Sequence, residues 1–253
     1  MTDQKSVARE RTIIGMLVLP LLVLAFAFGW GLDRVAEGIK NRSSDVISVR
    51  GTAQRNVKAD AAVWRLTVTE SGETAATALN KVAVGLEIVE KFFADNQVDD
   101  DAISLGSVST YANKEYIDGN ATGRILSFEA TREITLRLDD VDKIAMMSSD
   151  LGVVLSQGVQ IYTSGPEYYL KSLTTLRPEL LAEAMLDAQT RAQSLLQAVD
   201  ANVGAVRGVS SGPFQVTAAD STDVESGGYY DTRSINKTVI ATITVEFTNS
   251  ANG

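Results

Sequence analysis

Hydrophobic and polar residues alternate along residues 46–52 and again along 61–70, where Trp64, Leu66 and Val68 share one side. Period-two alternation marks a half-buried strand. Both stretches are therefore read as strands, with a turn at Gly51-Thr52-Ala53-Gln54. The period then changes. Over residues 73–96, Ala76, Leu79, Val82, Leu86, Val89 and Phe93 recur every three or four positions, the spacing of an amphipathic helix. Ser71 or Thr74 can cap its start, and Asn96 with the acidic run Asp99-Asp100-Asp101 ends it.

Two strands are expected next, at 103–110 and 125–138, joined by the polar connection "YANKEYIDGNATGR" with turn chemistry at Asp118-Gly119-Asn120. Residues 140–156 read as a second helix through Val141, Ile144, Met147, Leu151, Val154 and Leu155, followed by a strand at 159–163. Arg177-Pro178 is expected to open a long helix, because proline costs nothing in a first turn. Leu181, Met185 (or Ala184), Ala188, Ala192, Leu195 and Val199 would line one face, and Gly204 would supply the stop. A strand at 205–217, bent at Gly212-Pro213, a polar loop at 218–234 and a β-branched strand at 238–248 complete the body.

The order ββ, α, ββ, α, β, α, ββ gives an α+β fold of mainly antiparallel sheet with packed helices. A β-α-β-β unit can be read twice, from 61–70 through 138 and from 159–163 through 248. The match is one of pattern and not of residue identity.

Ahead of this body the pattern is of another kind. Residues 12–32 hold 21 residues without a charge, enough for one transmembrane helix. Pro20 is tolerated in such a helix, and Trp30 sits where interfacial aromatics gather. Lys5, Arg9 and Arg11 precede it, which puts residues 1–11 in the cytoplasm and the body outside the inner membrane. The alternative is a secretory signal cut after Ala25-Phe26-Ala27, leaving the body free in the periplasm. Residues 33–45 read as a tether, 46–249 as the domain and 250–253 as a tail.

Composition narrows the function classes. The chain has 253 residues, no cysteine and no histidine. Disulfides, thiol chemistry and the usual general base near neutral pH are therefore absent. Net charge is −9: the first 42 residues carry six basic against four acidic groups, and the remainder 17 against 28. An acidic body argues against nucleic acid as a partner.

Candidate chemistry is thin. Ser234-Ile235-Asn236-Lys237 forms a lone S-x-x-K that runs into a strand instead of opening a helix, without the companion elements of serine acyltransferases. Asp99-Asp100-Asp101 and the acidic stretch 220–225 lack the spacing of a calcium loop and read as solvated charge. No phosphate-binding glycine motif occurs, and no carboxylate pair stands out for hydrolysis. Tyr111, Tyr116, Tyr168, Tyr169, Tyr229 and Tyr230 fall in or beside predicted connections, where they either fold back on the core or meet a protein partner. Asn41, Asn120 and Asn236 begin glycosylation sequons.

The stretch "ISVRGTAQRNVKADAAVWRLTV" resembles the opening of the SIMPL-domain, or YggE-like, family, which includes a periplasmic oxidative-stress defence protein. Ala59-Asp60-Ala61-Ala62 stands where that family usually has Pro-Asp-x-Ala, so the proline is missing. The Ala-rich segment through Ala184, Ala188, Ala192 and Gly204, and the closing "TVIATITVEF", look like its other landmarks. The resemblance covers about residues 46–249. It implies an envelope protein of α+β fold, ring-like or channel-like oligomers in some relatives, a link to oxidative-stress protection in others, and no catalytic residues to carry over. The resulting expectation is a non-enzymatic, membrane-anchored periplasmic protein. Its partners would be the bilayer, through residues 12–32, and further copies of itself. No catalytic, cofactor-binding or metal-binding residue is assigned. The alternative expectation is a periplasmic binding module, with a small ligand or peptide held near Trp64 and the tyrosine-bearing loops.

Overall fold

The computed structural model describes residues 46–219, 221 and 229–251. The expected span 12–32, the tether 33–45 and most of the acidic stretch 220–225 lie outside the described residues. Among the described residues no helix is long and apolar enough to cross a membrane.

The architecture is α+β with antiparallel sheets. Strand β1 (Val46–Lys58) is followed by β2 (Ala61–Gly72), helix α1 (Ala75–Asp95), β3 (Ile103–Ile117) and β4 (Asn120–Leu138). Then come α2 (Val141–Ser149), α3 (Gly152–Leu155), β5 (Ile161–Tyr162), β6 (Pro166–Tyr169) and α4 (Leu173–Gln197). Strands β7 (Ala201–Ser211), β8 (Gln215–Ala218) and β9 (Asn236–Ala251) close the chain.

One sheet has the order β3-β4-β2-β5, with β6 also paired to β2; the other has the order β1-β9-β7, with β8 paired to β9. The strand expected to open a second β-α-β-β unit, near 159–163, pairs with β2 instead. In the second sheet β1 stands beside β9, as β2 stands beside β4 in the first.

By internal contacts the chain divides into two compact units. One takes in Thr52–Met185 and Ser211–Ile243; the other takes in Leu186–Ser210, the start of β1 and the end of β9. In the larger unit, α1 turns Ala78, Val82, Leu86, Val89, Phe92 and Phe93 inward, towards Trp64, Leu66 and Val68 of β2 and Ile134 and Leu136 of β4. Val141, Ile144 and Met147 of α2 join the same core. Trp64 is fully buried, its ring centroid 6.1 Å from that of Phe93, and its indole N–H donates to Thr163 Oγ1 at 3.0 Å. In the smaller unit Val49, Ala188, Ala192, Leu196, Val245 and Phe247 are buried.

Several expected boundaries moved. Val49, Gly51 and Ala53 keep pointing inward while Arg50, Thr52 and Gln54 point out, so β1 continues through the expected turn at 51–54. Small residues sustain the alternation there. Strands β3 and β4 run on through "YANKEYIDGNATGR", leaving a turn at Asp118 and Gly119, whose φ values of 50° and 80° fit a tight hairpin. The helix expected over 140–156 breaks at Asp150, and β6 was not anticipated. Helix α4 starts at Leu173, so Pro178 lies inside it. Its buried face is Leu180, Ala184, Ala188, Ala192 and Leu196, while Leu195 and Val199 are exposed. The left-handed residue after α4 is Asp200, φ 55°, and Gly204 lies within β7.

Candidate functional site

Asp60 holds the start of α4 from a distance. Its carboxylate accepts the backbone N–H of Lys171 at 2.5 Å and of Ser172 at 2.9 Å, while its own N–H donates to the Tyr169 carbonyl at 3.0 Å. Partial burial pulls its pKa up, but the hydrogen bonds from Ser172 and Lys171 outweigh it and leave the carboxyl below its ordinary value. Arg55 of β1 adds ion pairs to Glu179 (2.6 Å) and Glu183 on α4. This Asp belongs to the opening motif of the family resemblance, and its role here is architectural.

Lys237, the lysine of the S-x-x-K, is completely buried at the start of β9. Its ammonium donates to the Asp231 carbonyl at 2.5 Å and to the Asp231 carboxylate at 3.3 Å, and lies 5.9 Å from the Tyr230 ring centroid. The carboxylate also accepts the backbone N–H groups of Arg233 and Ser234, both at 3.0 Å. Burial lowers the Lys237 pKa more than Asp231 raises it. Burial presses Asp231 upward, yet the N–H donors and the Lys237 charge bring it below its usual value. Ser234 therefore contributes its backbone N–H to the lysine's partner. Among the described residues no hydrogen bond links its hydroxyl to Lys237, so the arrangement of an activated serine is not present. Tyr230 secures the same corner by accepting the Leu170 N–H on its hydroxyl at 2.8 Å.

The other sequence candidates scatter. Asp99, Asp100 and Asp101 are exposed around a short 3₁₀ turn, and no acidic group able to hold a metal ion occurs among the described residues. Tyr168 is buried and Tyr169 half-buried, its hydroxyl donating to Glu167 at 2.9 Å. Tyr111, Tyr116, Tyr229 and Tyr230 are exposed. Asn120 lies beside the β3–β4 turn and Asn236 begins β9; Asn41 lies outside the described residues.

Two surfaces remain, the first carrying Tyr111 and Tyr116 from the sequence reading and the second new to the structure. The first is the β3–β4 hairpin. β2 pairs with β4 only from Phe128 onward, so residues 120–127 have β3 as their sole partner in that sheet. Tyr111, Tyr116, Ile117, Ile125 and Leu126 are exposed on this ribbon, and the outer edge of β3 is the edge of the sheet.

The second is an open cleft of about 370 Å³ between α1 and the segment after α3. Thr77, Asn80, Lys81, Val84, Gly85 and Ile88 form one wall, a single stripe of α1. Glu70 of β2 and Gln157, Gly158 and Val159 form the rest. Gly85 shapes the floor, since a Cβ there would sit 2.9 Å from Val68 Cγ1 and 3.2 Å from Val159 Cγ1. Trp64, expected to border a pocket, is packed into the core and is not part of it.

The SIMPL family, described as "Protein of unknown function (DUF541)", matches residues 47–247. No curated protein matches the chain. Among solved structures, a de novo designed protein, Foldit4, is similar at 12% identity and a TM-score of 0.20, over 41% of this chain and 96% of that one. A putative aminohydrolase from methicillin-resistant Staphylococcus aureus is similar at 13% identity and TM-score 0.24, over 55% of this chain. A hydantoinase/carbamoylase family amidase from Burkholderia ambifaria is similar at 18% identity and TM-score 0.24, over 52%. The chain spans 39% and 35% of the length of those two enzymes. Likeness this slight carries no argument about function.

Proposed function

Because the chain belongs to the SIMPL family, we propose that it acts without catalysis, as a membrane-tethered periplasmic protein whose copies assemble with one another. Residues 12–32 would be the anchor, and the family resemblance favours a role in the envelope or in oxidative-stress defence. The lack of His and Cys supports the non-catalytic reading.

The observation that carries self-assembly is the free edge of β3. Exposed edges are normally blunted by charge, proline or shortness. β3 is 15 residues long, contains no proline, and carries only Lys114 and Glu115 as charges. The outer edge of β3 beside exposed Tyr111 and Val108, between the register shifts at 105–108 and 113–116, is a template for a strand of a second copy.

Sedimentation of the full-length protein, with a Val108→Lys/Tyr111→Lys variant, tests this. Both positions are exposed, so folding is little disturbed. The wild type should sediment as an oligomer and the variant as a smaller species. A strictly monomeric wild type at high concentration would remove the proposal.

A second reading, a binding module for a small ligand, is favoured by the cleft along α1.

A further inference from the structure

We propose that the cleft between α1 and the segment after α3 takes a small zwitterion with an aliphatic side chain, an amino-acid-like ligand whose carboxylate meets Lys81 and whose ammonium meets Glu70. The proposal rests on the second reading above, that the cleft binds a ligand at all, and adds the chemistry of that ligand.

Opposite charges close together on this surface pair elsewhere in the molecule. Lys91 and Asp95, one turn apart on the same helix, are bridged at 2.9 Å, and Arg65 reaches Glu167 at 2.6 Å. Glu70 and Lys81 line the same cleft, yet no ion pair joins them among the described residues. Each is instead held by backbone. Lys81 Nζ donates to the Ser71 carbonyl at 2.9 Å, and the Gln160 N–H donates to Glu70 Oε1 at 3.4 Å. These contacts leave two ammonium hydrogens and the second carboxylate oxygen available. Each charge is thus tethered to backbone and not to the other.

Between them the floor is apolar. Val84 is exposed, Ile88 half-buried and Val159 buried, and the missing Cβ of Gly85 lets α1 close down on Val68 and Val159 beneath them. The Asn80 and Gln157 amides can donate or accept at the rim. A volume of about 370 Å³ lies at the low end for small-molecule sites. A phosphate ester would satisfy Lys81 but face Glu70. A purely apolar molecule would leave both charges unanswered. A zwitterion complements both and lays its side chain on the floor.

Isothermal titration calorimetry on the full-length protein, with four probes, tests this. L-leucine carries both charges, leucinamide lacks the carboxylate, 4-methylpentanoate lacks the ammonium, and 3-methylbutan-1-ol lacks both. L-leucine should bind about tenfold more tightly than either singly charged probe. Lys81→Gln should abolish the preference for leucine over leucinamide. Glu70→Gln should abolish its preference over 4-methylpentanoate. Both side chains lie at the surface, and circular dichroism verifies that the variants stay folded. Equal binding of all four probes would mean that the cleft accepts apolar matter, which overturns the zwitterion inference and leaves the binding reading standing. No heat from any probe would overturn both.

Discussion

Replacing Lys237 by methionine puts the buried pair to a quantitative test. The substitution keeps a side chain of similar length and removes the ammonium. Asp231, about 6% exposed, then loses the donor to its carbonyl and one of three donors to its carboxylate, keeping the N–H groups of Arg233 and Ser234. Breaking a buried pair by removing one partner costs about 3–5 kcal/mol. The two remaining donors, and relief from desolvating an ammonium, place Lys237→Met at or just under the lower end, about 2–3 kcal/mol. Asp231→Asn strands a wholly buried cation, so it should cost more, about 3–5 kcal/mol. In the double variant neither charge is orphaned, so the loss should fall short of the summed single losses by about 1–3 kcal/mol. Urea unfolding followed by circular dichroism reads these differences; with a slope of about 2 kcal/mol per molar, Lys237→Met should unfold about 1–1.5 M earlier. Strict additivity in the cycle, within about 0.5 kcal/mol, would show that the two groups do not interact and would refute the reasoning.

Other outcomes follow from the same geometry. Asp60→Ala should cost about 1–2 kcal/mol, since α4 loses the acceptor at its start. The Asp60 carboxyl lies below its ordinary value of 3.8, so its contribution is complete above that pH and fades as pH falls through the lower folded value. Acid titration by circular dichroism should therefore be less steep in Asp60→Ala than in the wild type. Asp118 sits at φ 50°, so Asp118→Val should destabilise the hairpin by about 1 kcal/mol or more in a urea melt, whereas Asp118→Asn should be nearly neutral. Ala188 is fully buried, and Ala188→Leu should overpack its surroundings, lowering stability by about 1–3 kcal/mol in the same assay.

Local periodicity announced most of the elements, and the misses have physical causes. The outer half of the β3–β4 hairpin buries neither face, so "YANKEYIDGNATGR" shows no alternation and reads as loop. The start of α4 is set by Asp60, 111 residues earlier, and nothing near Leu173 records that cap. The alanines expected on one face of α4, Ala184, Ala188 and Ala192, are buried there, whereas Leu195 and Val199 are exposed and Leu180 and Leu196 take their place. The S-x-x-K spacing around Lys237 carries no catalytic meaning, and it also gives no hint of the lysine's partner. That partner is Asp231, in a loop whose path to the lysine no spacing rule describes. The cleft draws on β2, α1 and the turn at Gly158, three segments that become neighbours only on folding.

The place of β9 between β1 and β7 has a consequence for biogenesis. Asn56 of β1 meets Thr238 of β9 across 182 residues, through a side-chain hydrogen bond of 2.7 Å. At roughly 5–20 residues per second, β1 leaves the ribosome about 10–35 s before its neighbour exists. The core around Trp64 draws on residues between Ala59 and Tyr168 and can settle early, but this sheet is completed only once β9 has been made. A ribosome stalled before residue 236 releases a chain in which β1 lacks its described neighbour β9, and quality-control proteases would meet it in that state.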